Sequence, residues 1–396
     1  MSLINNYQNE LDVLKKNNLY REKLVINSAC GTEVLIGNKK IVNFTSNDYL
    51  SLANSKFLKT KLAEGLKICG SGSGGSHLIS GHYKIHEDLE KKFSTLFKKH
   101  FNKPKSLLFS TGYHANIGIM QALTSVKSKK ITIFSEKYNH ASIIDGIKLV
   151  KKNGFINLQI YKNSNLEELT DKLKKDTSDV KIIVTDGVFS MDESIAPLPQ
   201  LLKISKKYNS FLIIDDAHGF GVLGNSGLGI MDYFNVKKID TANLIYIATL
   251  GKSCGITGAF VMGHETLINF MIQKSRTYIY TTAIPPFICY ALIKILEDPI
   301  FLKQKSKLQN LITYFDNQLN SSKQIEKKTS AIKIFMVRDN QKTLEIQKKA
   351  LKKNILVSCI RPPTVPIGGA RIRVSINANH KKKDINNLIQ FLKNEI

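Results

Sequence analysis

Short apolar runs recur through the first two thirds of the chain, at Ser106–Phe109, Ile131–Phe134, Lys181–Thr185, Phe211–Asp215 and Leu244–Ala248. Each is too short for a helix and nearly continuous in apolar character, the pattern of a strand covered on both faces. Between them, Ile85–Lys98, Asn165–Lys175 and Leu198–Tyr208 repeat their apolar residues at helical spacing with lysines on the other side. Strand and helix alternating in this way predict a doubly wound α/β fold with a mostly parallel sheet, whose chemistry lies at the carboxyl ends of the strands. Beyond about residue 290 the texture changes to long lysine-rich helical stretches, strands near Ala331–Val337 and Ala370–Ile376, and a last helix from Lys383. The resulting division is an N-terminal arm over 1–45 (a helix and a hairpin around Gly37-Asn38, expected to pack on the smaller lobe), a large domain over 46–290 and a small α+β domain over 291–396.

Composition changes this picture only at its edges. With 396 residues, 42% hydrophobic and 23% charged, the chain has the balance of a soluble folded protein. Its longest apolar stretch, Tyr278–Leu296, is broken by Pro285 and Pro286 and carries Lys294, so no membrane span is expected. The polar N-terminus lacks the apolar region of a signal peptide, and five scattered cysteines without a CxxC pair argue against a disulfide framework or thiolate zinc. A cytoplasmic location is the expectation. The net charge of +26 would attract an anion, but with six arginines among 58 basic residues the favoured reading is a coding preference for lysine on a solvated surface. Where arginine survives in such a chain, a planar bidentate fork is a reason for it.

Four segments carry chemistry or imitate it. Gly70–Gly75 satisfies GxGxxG, yet Lys56–Cys69 before it has helical periodicity rather than a strand, which removes the dinucleotide reading; it is a ligand-approaching glycine loop or a plain linker. Lys252-Ser253 resembles the end of a Walker A loop, but Tyr246 stands where that motif needs glycine. Asp215-Asp216-Ala217-His218-Gly219 directly follows a strand, so a carboxylate and an imidazole could converge on one ligand, or the aspartate could cap the next turn. Thr249-Leu250-Gly251-Lys252 follows another strand. A lysine partly removed from water there has its pKa depressed and can form a Schiff base. His140 could stack on an aromatic ligand or be an ordinary loop histidine. His77, His82 and His86 have ligand-like spacing but no evident acidic or thiolate partner, and no metal is assigned to them.

Taken in order, Ser46–Leu50, Gly72–Gly81 with His86, Ser110–Asn116, Asn139–Ser142, Gly187–Asp192, Asp215–Gly219, Thr249–Lys252 and Tyr280–Pro286 resemble the α-oxoamine synthase family of pyridoxal-phosphate enzymes, over nearly the whole chain. The resemblance implies fold type I, the aspartate-aminotransferase-like architecture, and a homodimer with shared sites. It makes Lys252 the lysine that binds pyridoxal 5'-phosphate as a Schiff base, pairs Asp215 with the pyridine nitrogen, and gives His218 the phenolic oxygen, His140 the ring face and Ser190 a further contact. Gly112, Tyr113 and Thr249 would surround the phosphate, with Thr281 or Thr282 contributed across a dimer interface. Arg21 and Thr364 would meet the acyl substrate, and Asn47 and Arg373 the amino-acid carboxylate. The role of Asp215 has an independent reason, since a buried carboxylate keeps the ring nitrogen protonated and only then is the ring a strong electron sink.

The C-terminal signature Ile360–Pro366 followed by Ala370–Arg373 is similar to that of the family member that condenses L-alanine with pimeloyl coenzyme A or pimeloyl acyl carrier protein, losing carbon dioxide, in biotin synthesis. In that reading the Lys252 amine removes the alanine Cα proton, and His140 covers the ring and assists reprotonation. Ser253-Cys254 departs from the small and aromatic residues expected after the lysine, and the reactivity of Cys254 depends on its burial. The alternatives are glycine C-acetyltransferase or another α-oxoamine synthase, a basic nucleic-acid-binding protein and a nicotinamide dehydrogenase. The second lacks any zinc-finger or RNP-like motif, and no nucleic acid or membrane partner is expected.

Overall fold

The structure is a computed structural model and describes residues 3–127, 129–152, 154–238, 241–319 and 330–396. The chain divides into two compact units, the smaller made of the described residues through Asn47, Met191–Glu193 and those from Lys307 onward, the larger of Asp48–Ser190 and Ser194–Ser306.

In the smaller unit a helix, Leu3–Lys16, precedes a hairpin of strands β1 (Glu33–Ile36) and β2 (Lys39–Asn43), turned at Gly37 with φ +59°. The larger unit is built on β3 (Pro104–Phe109), β4 (Ile131–Glu136), β5 (Ile156–Tyr161), β6 (Val180–Asp186), β7 (Phe211–Asp215), β8 (Leu244–Thr249) and β9 (Ala259–His264). These form one sheet in the order β3-β9-β8-β7-β6-β4-β5, parallel except for β9, which runs against both of its neighbours. One core lies between the sheet and the helices Gly112–Leu123, Ala141–Lys151 and Glu265–Lys274, where Ile119, Met120, Ile147, Ile213, Ile245 and Val261 are all buried. Full burial of such side chains contributes about 1.5–3 kcal/mol each, which drives the apolar strand runs inside.

The five anticipated strands are present, and the helices read from periodicity occur at Lys84–Leu96, Leu166–Lys175 and Leu198–Lys207. β5 and β9 were not anticipated. The larger unit also runs on to Ser306, past the expected boundary at 290. The reason is packing: the helix Pro286–Glu297 lies against Lys56–Cys69 and Lys84–Leu96, so closely that a Cβ on Gly65 would come 2.8 Å from the Phe287 carbonyl oxygen.

The smaller unit completes itself with β10 (Ile332–Arg338), β11 (Ile355–Leu356), β12 (Ser358–Ile360), β13 (Ala370–Ser375) and a final helix, Lys382–Glu395. β11 pairs parallel with β2, β13 lies between β10 and β12, and the Ser375 amide donates to the Phe44 carbonyl at 2.7 Å, so the two termini of the chain share one unit. Among the described residues, no helix is long and apolar enough to cross a membrane.

Candidate active site

The carboxyl ends of β3, β4, β6, β7 and β8 converge on one cavity of about 210 Å³ in the larger unit. β3 runs into Thr111, whose hydroxyl accepts from the His114 amide at 3.1 Å and caps the helix Gly112–Leu123. That helix opens on the cavity with Gly112, where a Cβ would stand only 2.4 Å from the Thr249 methyl. The glycine therefore leaves the helix N-terminus bare, a favourable place for a phosphate.

β7 ends on Asp215, which is buried and doubly anchored: Asn116 Nδ2 donates to Oδ2 at 2.6 Å and the Ala217 amide to Oδ1 at 3.1 Å. Asn116 also donates to Ser142 Oγ at 2.8 Å, and Ser142 Oγ lies 2.7 Å from His140 Nδ1. His140 caps the helix Ala141–Lys151, its Nδ1 accepting from the Ser142 amide at 3.2 Å. Its ring borders the cavity, and burial by protein lowers its pKa, an effect that Asp215 opposes and Lys252 reinforces. His218 Nδ1 and Tyr49 Oη are 2.7 Å apart, which fixes the ring of His218 from the far side.

Lys252 lies three residues beyond β8, half-buried at the cavity wall. The residues after it point into the protein. Ser253 Oγ donates to the Phe220 carbonyl at 2.7 Å, Cys254 is fully buried, and Gly255, with φ +67°, packs so tightly that a Cβ would fall 2.4 Å from the Ala53 amide nitrogen. Burial pushes the Cys254 thiol up to about 12, so the unusual Ser253-Cys254 pair fills core and adds no nucleophile. Behind the site, Asp216 accepts from the Ile230 amide at 2.7 Å and Tyr246 Oη at 2.9 Å, and burial pushes it up to about 8.

Gly112, Tyr113, His140, Ser190, Asp215, His218, Thr249 and Lys252 thus line the cavity together. Thr281 and Thr282 do not; Thr282 forms a bridge with Ser76, and its carbonyl accepts from Ser110 Oγ at 3.3 Å. A contribution across a dimer interface is not a property of one chain. Three lining residues had been given no role: Ser142 and Ala217, which lie within motifs already noted, and Asp186, which lies just outside one. Asp186 carried a usable signal, since it ends β6 in register with Asp215 and obeys the same rule of a carboxylate at a strand's carboxyl end.

In the smaller unit, Arg373 of β13 donates through Nη2 to Asn47 Oδ1 at 3.0 Å, and Arg21 through Nη2 to Thr364 Oγ1 at 3.3 Å. Each expected substrate-binding pair is therefore brought together. Arg371 instead donates to the Met191 carbonyl at 2.6 Å, and Lys333, only 3% exposed, pairs with Asp316 at 2.7 Å and Glu193 at 3.8 Å. Of the three histidines, His77 and His82 meet through Nδ1 at 2.8 Å, and the helix Lys84–Leu96 brings Glu87 and Glu90 beside His82, acidic neighbours that the sequence spacing did not reveal. Glu87 is also paired with Lys91 at 3.2 Å.

A pyridoxal phosphate fits this donor set. The bare helix start at Gly112 suits its phosphate, the anchored Asp215 a protonated ring nitrogen, and the Lys252 amine its aldehyde. The fold is that of the type I enzymes of this cofactor class, with a seven-stranded, mostly parallel sheet. The model of the aminotransferase class I and II family matches residues 39–392, and the chain belongs to that family.

Within it, the chain is 38% identical to the 8-amino-7-oxononanoate synthase of Janthinobacterium sp. (strain Marseille) over 398 residues, covering 98% of each chain. It is 36% identical to the 8-amino-7-oxononanoate synthase of Herminiimonas arsenicoxydans, covering 97% of each. Among solved structures it is similar to the 8-amino-7-oxononanoate synthase of Francisella tularensis, with a TM-score of 0.73 and 32% identity over 90% of this chain and 97% of that one. The serine palmitoyltransferase of Sphingomonas wittichii, with a TM-score of 0.84 and 22% identity over 99% of this chain and 96% of that one, shares the fold.

Proposed function

We propose that this chain catalyses the 8-amino-7-oxononanoate synthase reaction, the decarboxylative condensation of L-alanine with a pimeloyl thioester. A carbon–carbon bond forms between the alanine Cα and the thioester carbonyl, and the thiol and carbon dioxide leave. Pyridoxal 5'-phosphate, when bound, supplies the sink for the electron pair left on the alanine Cα. The chain's own groups do the rest. With that group bound, the Lys252 amine would take the Cα proton, the anchored Asp215 would hold a proton on the ring nitrogen, and His140 would cover the ring and assist the return of a proton. His218, oriented by Tyr49, is assigned the phenolic oxygen, and Ser190 a further cofactor contact. The Arg373–Asn47 pair is assigned the alanine carboxylate, which a guanidinium grips in one orientation, and the Arg21–Thr364 pair the acyl chain. A homodimer, with Thr281 or Thr282 reaching the partner's cofactor, and a cytoplasmic location belong to the same reading.

The observation that carries this proposal is the convergence of Lys252, Asp215, His140 and His218 on one cavity, in a chain that matches synthases of this name over 98% of its length. The test supplies the purified protein with pyridoxal phosphate and either L-alanine or glycine, each with pimeloyl or acetyl thioesters, and identifies the product by mass spectrometry. 8-Amino-7-oxononanoate from alanine is expected. A preference for glycine with acetyl coenzyme A overturns the assignment in favour of glycine C-acetyltransferase. Running coenzyme A and carrier-protein thioesters in parallel identifies the acyl donor.

A further inference from the structure

Two carboxylates, not one, end adjacent strands at the cavity. Asp186 of β6 and Asp215 of β7 are register partners, each only 5% exposed, and both line the cavity. Side by side and out of water, they cannot both be charged without strong repulsion. Their donors differ. Asp215 receives two, Asn116 Nδ2 and the Ala217 amide, whereas the Asp186 side chain receives the backbone N–H of His140 on Oδ2 at 3.0 Å. By number of donors, Asp215 is the better anchored of the two. Glu136, at the end of β4, adds a further negative charge near Asp186, while Lys252 opposes it.

The backbone of Asp186 closes the arrangement. Its N–H donates to Asn139 Oδ1 at 3.0 Å, and Asn139 Nδ2 donates to the Val184 carbonyl at 2.9 Å and to Ser135 Oγ at 3.0 Å. The dipeptide Asn139-His140 is therefore bonded twice to one residue, through the Asn139 side chain to the Asp186 amide and through the His140 amide to the Asp186 side chain. This reciprocal clamp ties the carboxyl ends of β4 and β6 together just where His140 turns its ring to the cavity.

We propose that Asp186 is a positioning residue that serves as a neutral carboxylic acid, fixing His140 at the cofactor while leaving Asp215 the single anion facing the ring nitrogen. Consistent with this, burial first and the charge of Asp215 second hold the Asp186 carboxyl well above the ordinary carboxylate range. The inference rests on the reading of the cavity as a pyridoxal-phosphate site.

The test uses the full-length protein and measures the dissociation constant for pyridoxal phosphate by equilibrium dialysis, with steady-state kinetics alongside. Asp186→Ala removes the acceptor for His140 and should weaken cofactor binding at least about tenfold. Asp186→Asn keeps an oxygen for the His140 amide and carries no charge, so it should recover binding to within about threefold of the parent, whereas Asp215→Asn should not. Asn139→Ala, which opens the other half of the clamp, should lower kcat while leaving KM for alanine nearly unmoved. Asp186→Asn as damaging as Asp215→Asn would mean that Asp186 acts as an anion, and Asp186→Ala as tight as the parent would mean that it positions nothing; either result overturns the inference alone. A parent protein that binds no pyridoxal phosphate overturns it together with the functional reading. The Asn139 and Asp186→Asn arms decide the matter even if Asp186→Ala does not fold.

Discussion

Asn116 offers the sharpest measure of how this site works, because it touches no substrate in the proposed scheme and yet carries the shorter of the two hydrogen bonds to Asp215, 2.6 Å against 3.1 Å from the Ala217 amide. It sits on the inner side of the helix Gly112–Leu123 with 1% of its surface exposed. In Asn116→Ala, Asp215 keeps only the longer backbone bond, and Ser142 Oγ loses the same donor. A hydrogen bond to a charged group is worth about 1.5–3 kcal/mol, which at about 1.4 kcal/mol per decade corresponds to roughly 10- to 150-fold. The expected result is a pyridoxal-phosphate dissociation constant raised by that factor, with a matching loss in kcat/KM. Dialysis or absorbance titration reads it, and thermal unfolding of the cofactor-free protein separates it from a general loss of stability. Asn116→Leu, which preserves bulk but donates nothing, should behave like the alanine variant. If either variant binds cofactor within about twofold of the parent, the anchoring of Asp215 does not matter and the electrostatic reasoning fails.

Lys252→Ala should abolish covalent attachment, so that borohydride treatment fixes no cofactor to the corresponding peptide; a mass increment elsewhere in the chain would move the reactive amine to another lysine. Arg373→Lys retains charge but loses the planar fork that reaches Asn47, and KM for L-alanine should rise about tenfold with a smaller change in KM for the thioester. Asp216 is raised from 3.8 to about 8, so the folded state holds a proton that the unfolded state has lost between those values, and this group's contribution to stability falls as pH rises through that window. Asp216→Asn removes the term, and its stability by urea unfolding should gain on the parent's from pH 5 to pH 8, by at most about 1.4 kcal/mol per unit; parallel profiles would show that Asp216 does not titrate there.

Much of the larger unit was legible because its strands are covered on both faces and therefore read as unbroken apolar runs, which is also why Asp215 and Lys252 stood out at their ends. Ala259–His264 was not read as a strand, and periodicity, which reports the buried side of a strand but not its direction, would not have shown that it lies antiparallel in an otherwise parallel sheet. Asn116 was hidden for the opposite reason, being one polar side chain on an otherwise apolar helical face, whose role appears only when β7 is placed beside it. The domain boundary was drawn at 290, where lysine-rich helical texture begins, and this falls inside the helix Pro286–Glu297 that Pro285 and Pro286 open. The helix they begin nevertheless stays with the larger unit because Gly65 admits close packing against Phe287. Thr281 and Thr282 entered through family likeness alone, as residues expected to reach a second copy, and within one chain they stay off the cavity lining.

The parallel pairing of Lys39–Asn43 with Ile355–Leu356 means that one segment waits for another made much later in synthesis. The larger unit has all of its strands by His264 and all of its residues by Ser306, so it can begin to condense before the later segments of the smaller unit are made. Until then the hairpin lacks the strand that pairs with its second arm, and a chain without Ile355–Leu356 would leave that edge unpaired for good.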